Sequence, residues 1–411
     1  MDRTQVINFG AGPSALPESV LEDATKALLN FQNTGIGITE ISHRSKEFGA
    51  VVAHLEQLIR TQLDVPETHH ILFTQGGGSQ AFSSVVLNMQ ARHRLLHPHL
   101  ADEERTMDYV VTGSWSKKAA EEARRLGGGQ VKIVADGREH SSDKKSFEGI
   151  PPHDTFKFSE DPLLIYYCEN ETVDGVQFSA TEGSQSAFPY HLLPHKYGKI
   201  PPPLVADYSS SFMSRKIPRL VDHAIIFAGA QKNIGPSGLT ILIVRDDCLV
   251  DVDAAAKMGA TPVPITLAYK TYADSKSLYN TPPTFAVYVA MLVLERMEEL
   301  GGLNAVEEAN KRKEEKLYAA VKEAEEKGLF RLKVKEGSRS WMNVVFIGKD
   351  TETEKAFLEA GEAAGLKAMK GHRSVGGIRI SIYNAISEQQ VDSVVSFIRQ
   401  FIDQAPTVTD N

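Results

Sequence analysis

Cysteine is nearly absent: Cys168 and Cys248 are the two in 411 residues. They are too few and too far apart for a disulfide framework or a thiolate metal site, so a reducing cytoplasm is the simplest compartment and no metal is expected. Long apolar runs are also missing. None approaches the ~20 residues that span a bilayer, and the N-terminal MDRTQVINFGAGPSALP lacks the basic-then-apolar order of a secretory signal. There is no basic excess either. With 45 Lys and Arg against 53 Asp and Glu, the net charge of -8 argues against nucleic acid as a partner, while a local cluster of cations can still hold an anionic substrate. What is present, 42% hydrophobic and 24% charged residues, is the composition of a folded soluble protein. The length calls for two or three domains.

Short apolar runs, each followed by a glycine-containing turn and an amphipathic stretch, predict an α/β fold with a mostly parallel seven-stranded sheet. The strands are expected near His70–Thr74, Asp108–Thr112, Val131–Val134, Leu163–Cys168, Pro203–Ala206, Ala224–Ala228 and Leu239–Val244. Helical periodicity covers Glu18–Phe31, Ser79–Met89 and Ser116–Leu126. From Phe285 to about Lys327 the chain is rich in Ala, Leu, Glu and Lys, interrupted by Gly301-Gly302, and reads as a helical bridge. Beyond it MNVVFIG and GGIRISIYN alternate with two helical segments, a small α+β domain. The expected division is an N-terminal arm over 1–16, a large α/β domain over 17–284, and a small C-terminal domain with the bridging helix over 285–411. Glu182–Pro203 has no periodicity and ends in three prolines, the pattern of a surface excursion.

The chemistry is concentrated at the ends of these strands. Asp207, in ADYSSS, and Lys232, in AGAQKN, each stand just past an apolar run, 25 positions apart. At the carboxyl ends of neighbouring parallel strands both would face the crevice where open sheets bind ligands. A lysine for a Schiff base and an acid for a pyridinium nitrogen are what pyridoxal phosphate chemistry requires. Alone, such a lysine is ordinarily a solvated loop residue, and such an aspartate a helix cap; the pair carries the reading. Gly76-Gly77-Gly78-Ser79 lies between a strand and a helix and offers backbone N–H groups to a phosphate. It also fits a loose dinucleotide fingerprint, which keeps a nicotinamide oxidoreductase open as an alternative, although no acidic residue ends a second strand about 20 positions on. Trp115 follows a strand at a glycine turn, where spacing by itself favours packing over stacking on a ring. Thr172 lies in the polar ENETVDG segment after the fourth strand. Three basic clusters, Ser42-His43-Arg44, Gly371-His372-Arg373 and Gly376-Gly377-Ile378-Arg379, supply the guanidinium forks that a substrate with two anionic groups needs.

NFGAGPSALP, EISHRSKEF, FTQGGGSQ, GSWS, ENETVDGV, ADYSSS, AGAQKNIGPSGLT, YNTPPTF, SRSWMNVVF and KGHRSVGGIRISIYNA together cover nearly the whole chain. On these the sequence resembles the phosphoserine aminotransferase family, class V of the fold type I pyridoxal 5'-phosphate enzymes. The resemblance implies Lys232 as the Schiff-base lysine, Asp207 as the pyridinium partner and Trp115 as the stacking residue. It implies that Thr172 and Gln231 contact the cofactor, with Gly78 and Ser79 beside its phosphate. It further implies a homodimer in which Asn280 and Thr281 reach the neighbouring subunit's cofactor phosphate. Substrate anions would be held by His43, Arg44 and Arg379, with His372 and Arg373 supplied across the dimer. The implied reaction exchanges an amino group between glutamate and 3-phosphohydroxypyruvate. Some relatives have arginine where Ser79 stands here, and serine where Ala11 stands.

Two further readings are weighed against this one. A cysteine desulfurase of the same fold needs a mobile cysteine, whereas Cys168 sits in an apolar strand and Cys248 follows another. A non-catalytic scaffold would be expected to have lost the lysine or an anion-binding arginine, and the full set is present.

Overall fold

The computed structural model describes residues 2–194 and 202–404. All seven expected strands form, and they share one sheet: β1 (His69–Thr74), β2 (Thr106–Val111), β3 (Gln130–Asp136), β4 (Leu164–Cys168), β5 (Leu204–Asp207), β6 (His223–Gly229) and β7 (Thr240–Arg245), in the order β1-β7-β6-β5-β4-β2-β3. β7 runs antiparallel to both of its neighbours, and the other pairs are parallel. Every residue of β4, β5 and β6 is buried, as it must be in strands covered on both faces. Alternation then divides the core. Ile226 and Ala228 face one apolar cluster with α1 (Glu18–Leu29), α2 (Lys46–Leu63) and α5 (Thr284–Glu299). Ile225 and Phe227 face another with α3 (Gly77–Leu96) and α4 (Ser114–Leu126).

The bridge breaks where the sequence places it. Gly301, at φ +102°, separates α5 from α6 (Gly302–Glu326), a conformation that side chains rarely adopt. Beyond it, β8 (Phe330–Leu332), β9 (Asn343–Gly348) and β10 (Ile378–Ser381) form a three-stranded antiparallel sheet. With α7 (Thr351–Ala363), α8 (Glu388–Gln404) and part of α6 it encloses its own apolar cluster. The start of the chain belongs to this cluster as well. Ile7–Asn8 pairs with Leu366–Lys367, and Phe9 is fully buried, before the chain crosses to the large sheet.

The Glu182–Pro203 excursion departs from its expected surface course. Ala187, Phe188 and Leu193 are buried, and the Phe188 ring stacks on Tyr167 of β4 at 4.3 Å. Three apolar side chains spaced without a period give no amphipathic signal, yet each finds the core singly. Residues 195–201 of this stretch lie outside the described ones.

Candidate active site

Asp207 is the last residue of β5, beside Cys168 of β4 and Phe227 of β6 in the sheet register. Its buried carboxylate accepts the Ser209 N–H at 2.8 Å. Burial pushes it up to about 6, against the Ser209 hydrogen bonds and the nearby Lys232 charge. Lys232 occupies the turn after β6, which the Ala230 N–H closes onto the Leu239 carbonyl at 3.0 Å. Its Nζ donates to the Ala11 carbonyl at 2.6 Å. Burial and then the Arg379 charge lower the Lys232 amine to about 8, so more of it is neutral near physiological pH than of an ordinary lysine. The same Ala11 carbonyl accepts the Tyr383 hydroxyl at 3.0 Å, and Tyr383 in turn accepts from Asn343 Nδ2 at 3.1 Å. Ser14 completes the clamp: its amide donates to the Gln231 carbonyl at 3.0 Å, and its hydroxyl to the Lys232 carbonyl.

Two helices begin at this edge of the sheet, and their N-termini differ. At α3 no side chain caps the start; Gly76 and Gly77 have φ +97° and +64°, and the Gly77 N–H donates to Thr240 Oγ1 at 2.8 Å. Helix geometry leaves the amides of Gly78 and Ser79 without an intrahelical acceptor. The space beside them is open. A Cβ on Gly77 would meet nothing within 4 Å, and one on Gly78 only Ser209 Oγ at 4.0 Å. At α4 the corresponding place is filled by carboxylates. Glu171 accepts the N–H groups of Trp115 and Ser116, each at 2.8 Å, and Asp174 accepts that of Ser114 at 2.7 Å. An added anion is therefore accommodated at α3 and excluded at α4.

The remaining expected residues fall into two groups. Thr172 is buried, and its carbonyl accepts Arg379 Nη1 at 3.1 Å. Arg379, half-buried on β10, also faces Lys232 electrostatically. His372, half-buried and bonded to Ser374 Oγ at 2.7 Å, is held below its ordinary value by burial and then by Arg379, Lys118 and Arg373. Trp115 is half-buried, with its ring tilted against Phe82 at 6.5 Å and the Lys118 ammonium 4.4 Å from its centroid. Gln231 lies half-buried beside Lys232. The second group stands apart from these contacts: Thr281 Oγ1 pairs with His43 Nδ1 at 3.2 Å, and the Thr281 carbonyl accepts Gln75 Nε2 at 3.0 Å. Asn280 is half-buried there, and Thr281 and Arg44 are exposed; Arg373, also exposed, follows His372 in the first group.

Sequence reasoning missed Glu171, Tyr383, Asn343 and the Ala11 carbonyl. A backbone carbonyl has no sequence signal, and the carboxylate of Glu171 is hidden among three acidic residues in ENETVD. Among the described residues the donor atoms of His93, His97 and Asp161 lie within 4.8 Å of one another, but His93 Nδ1 faces the Arg105 guanidinium, whose charge opposes a cation.

The model of the family Aminotransferase class-V matches residues 6–394. The phosphoserine aminotransferase of Geobacillus kaustophilus is 40% identical over 394 residues, 96% of this chain and 97% of that protein. Two solved structures align over almost their full length. The phosphoserine aminotransferase from Bacillus circulans subsp. alkalophilus is 35% identical with a TM-score of 0.82, covering 97% of this chain and 98% of that one. The PLP-bound phosphoserine aminotransferase from Trichomonas vaginalis is 34% identical with a TM-score of 0.79, covering 96% and 99%.

Proposed function

The chain belongs to the class-V aminotransferases and within them to the phosphoserine aminotransferase family, with the fold type I architecture, and from that membership we propose its reaction. It transfers an amino group reversibly between L-glutamate and 3-phosphohydroxypyruvate, giving 2-oxoglutarate and O-phospho-L-serine, a step of L-serine biosynthesis, with pyridoxal 5'-phosphate as cofactor. One observation carries the reading: a buried carboxylate and a lysine of lowered pKa stand at the ends of adjacent parallel strands, below a glycine loop open to a phosphate. When bound, the cofactor supplies an electron-accepting ring and a carrier for the amino group.

The residues fit that group. Lys232 would hold its aldehyde carbon, Asp207 its ring nitrogen and Trp115 one ring face. Thr172 and Gln231 would contact it laterally, and the amides of Gly78 and Ser79 its phosphate. Ser79 brings no positive charge to this loop, so backbone donors carry the phosphate there. Lys232, its amine favoured in the neutral form by burial, would be the base that moves the proton between the substrate α-carbon and the cofactor's aldehyde carbon within each half-reaction. Arg379, oriented by the Thr172 carbonyl, receives a substrate carboxylate as a guanidinium fork.

The distal anion is met by His43, Arg44, His372 and Arg373. The protein acts as a homodimer, in which Asn280 and Thr281 serve the neighbouring site. Of the residues meeting the distal anion, His372 and Arg373 are proposed to be supplied across the dimer, as the family resemblance implies; within one protomer His43 Nδ1 pairs with Thr281 Oγ1 at 3.2 Å. The division into an arm over 1–16, a large domain over 17–284 and a small domain over 285–411 is supported in outline by the separate apolar clusters, with α5 and Leu303 packed into the large unit and Phe9 of the arm into the small one. A cytoplasmic site of action is supported by two buried free cysteines; no helix among the described residues is long and apolar enough to cross a membrane.

The visible spectrum of the purified protein tests the reading. Its cofactor band should bleach with glutamate and return with 3-phosphohydroxypyruvate. A protein that stays colourless after incubation with pyridoxal phosphate would overturn it.

A further inference from the structure

The ENETVDG segment is placed to act on neighbours that are expected to touch the cofactor and the substrate. Glu171 is fully buried, and its two carboxylate oxygens accept the consecutive amides of Trp115 and Ser116 at 2.8 Å. Asp174, three residues on, takes the Ser114 amide at 2.7 Å and pairs with the buried Lys333 at 3.3 Å. The first turn of α4 is thus tied at three successive amides to one short stretch of chain. Those are donors that an isolated helix leaves unsatisfied, and carboxylates there also meet the positive end of the helix dipole.

Gly113 shows how closely the parts fit. Its backbone is extended, at φ -173°, a conformation open to any residue. Glycine is required there for space: a Cβ would lie 2.4 Å from Glu171 Cδ and Cγ and 2.6 Å from Oε2. The Glu171 main chain adds rigidity, since its carbonyl accepts the Gly175 N–H at 2.8 Å and the residue pairs with Val176 in a two-residue hairpin. Thr172, the next residue, holds Arg379 through its carbonyl.

We propose that Glu171 is a positioning residue for Trp115, seating the backbone of the indole at the start of α4 so that its ring is presented at a fixed place to the cofactor, with Gly113 vacant to admit the carboxylate. Glu171 itself touches neither cofactor nor substrate. The proposal rests on the reading of Trp115 as the cofactor's stacking partner, and the experiment separates the two.

The test uses the full-length protein in a Trp341→Phe background, where Trp115 is the remaining tryptophan. Acrylamide quenching of the cofactor-free form reports the indole's seating, and titration with pyridoxal phosphate reports affinity. Glu171→Gln, which turns an NH2 group toward a backbone N–H, should raise quenching and weaken cofactor binding roughly tenfold, the scale of one lost hydrogen bond. Combined with Trp115→Ala it should add nothing to the loss that Trp115→Ala causes alone. If Glu171→Gln does not fold, Gly113→Ala serves instead, with the same expected direction. Unchanged quenching in the folded variant, or losses that add in the double variant, would overturn the proposal. If Trp115→Ala binds the cofactor as wild type while Glu171→Gln still raises quenching, the stacking role of Trp115 fails and its positioning by Glu171 stands.

Discussion

Gly12 lies against the side chain of Lys232: a Cβ on Gly12 would sit 2.6 Å from Lys232 Cδ and 2.7 Å from Nζ. The N-terminal arm therefore forms one wall around the Lys232 amine, and the wall has glycine where it passes the lysine. At φ +124° the backbone of Gly12 is also in a region that side chains rarely adopt.

Gly12→Ala should accordingly displace Lys232 from the Ala11 carbonyl while leaving the two apolar clusters of the large sheet intact. Cofactor affinity is expected to fall at least about tenfold, with strain of roughly 1–2 kcal/mol in the arm. Titration of the cofactor-free protein with pyridoxal phosphate checks this; wild-type affinity would show that the arm yields without consequence.

The lowered pKa of Lys232 sets the pH dependence of cofactor attachment. Burial and Arg379 disfavour the ammonium, so the neutral, nucleophilic amine grows as pH rises through about 8. The rate at which cofactor-free protein gains its visible band should climb between pH 7 and 9 and level off above. Replacing Arg379 with Met removes one of the two causes and should move the midpoint upward. A flat profile over that range would contradict the assignment.

Asp207 has the opposite linkage. Its carboxyl is raised from 3.8 to about 6 in the cofactor-free fold, so the folded state holds the proton more tightly than the unfolded one. The stabilisation is complete below about pH 4 and is lost as pH rises through about 6. Asp207→Asn removes this loss. Relative to wild type the cofactor-free variant should gain roughly 2 kcal/mol between pH 4 and pH 7.5, read from urea midpoints, although it loses its grip on a cationic ring.

Arg215 and Glu169 form an ion pair with both side chains buried, and Arg215 also donates to the Phe178 carbonyl. Cutting Arg215 to Met strands the Glu169 carboxylate, which among the described residues keeps Ser211 and Gln177 as donors. A loss of about 3–5 kcal/mol in unfolding free energy is expected. Glu169 immediately precedes Asn170 and Glu171, so cofactor affinity measured in the same variant tells whether the damage spreads along that segment.

Much of the architecture is local and therefore legible. β4, β5 and β6 are short, continuous apolar runs because both faces of the sheet are covered, and that composition marks them wherever they fold. Asp207 and Lys232 were recognisable because each follows such a run, and parallel strands bring their carboxyl ends to one edge. Gly301 marks the break in the bridge because a positive φ leaves a residue-type signature.

Other features depend on chain segments far apart in sequence. Nothing local in Thr240–Arg245 says that it runs antiparallel between β1 and β6. Phe188 has no periodic partners, so its burial against Tyr167 follows from tertiary packing alone. The Ala11 carbonyl on Lys232, 221 residues away, exists because the arm pairs with Leu366–Lys367 and then crosses to the large sheet. The sequence by itself determined the strands and the places of Asp207 and Lys232 just past two of them. Tertiary structure decided that α3 presents open amides while α4 is closed by Glu171 and Asp174, because an anion site depends on which carboxylates already occupy it, and those come from another part of the chain.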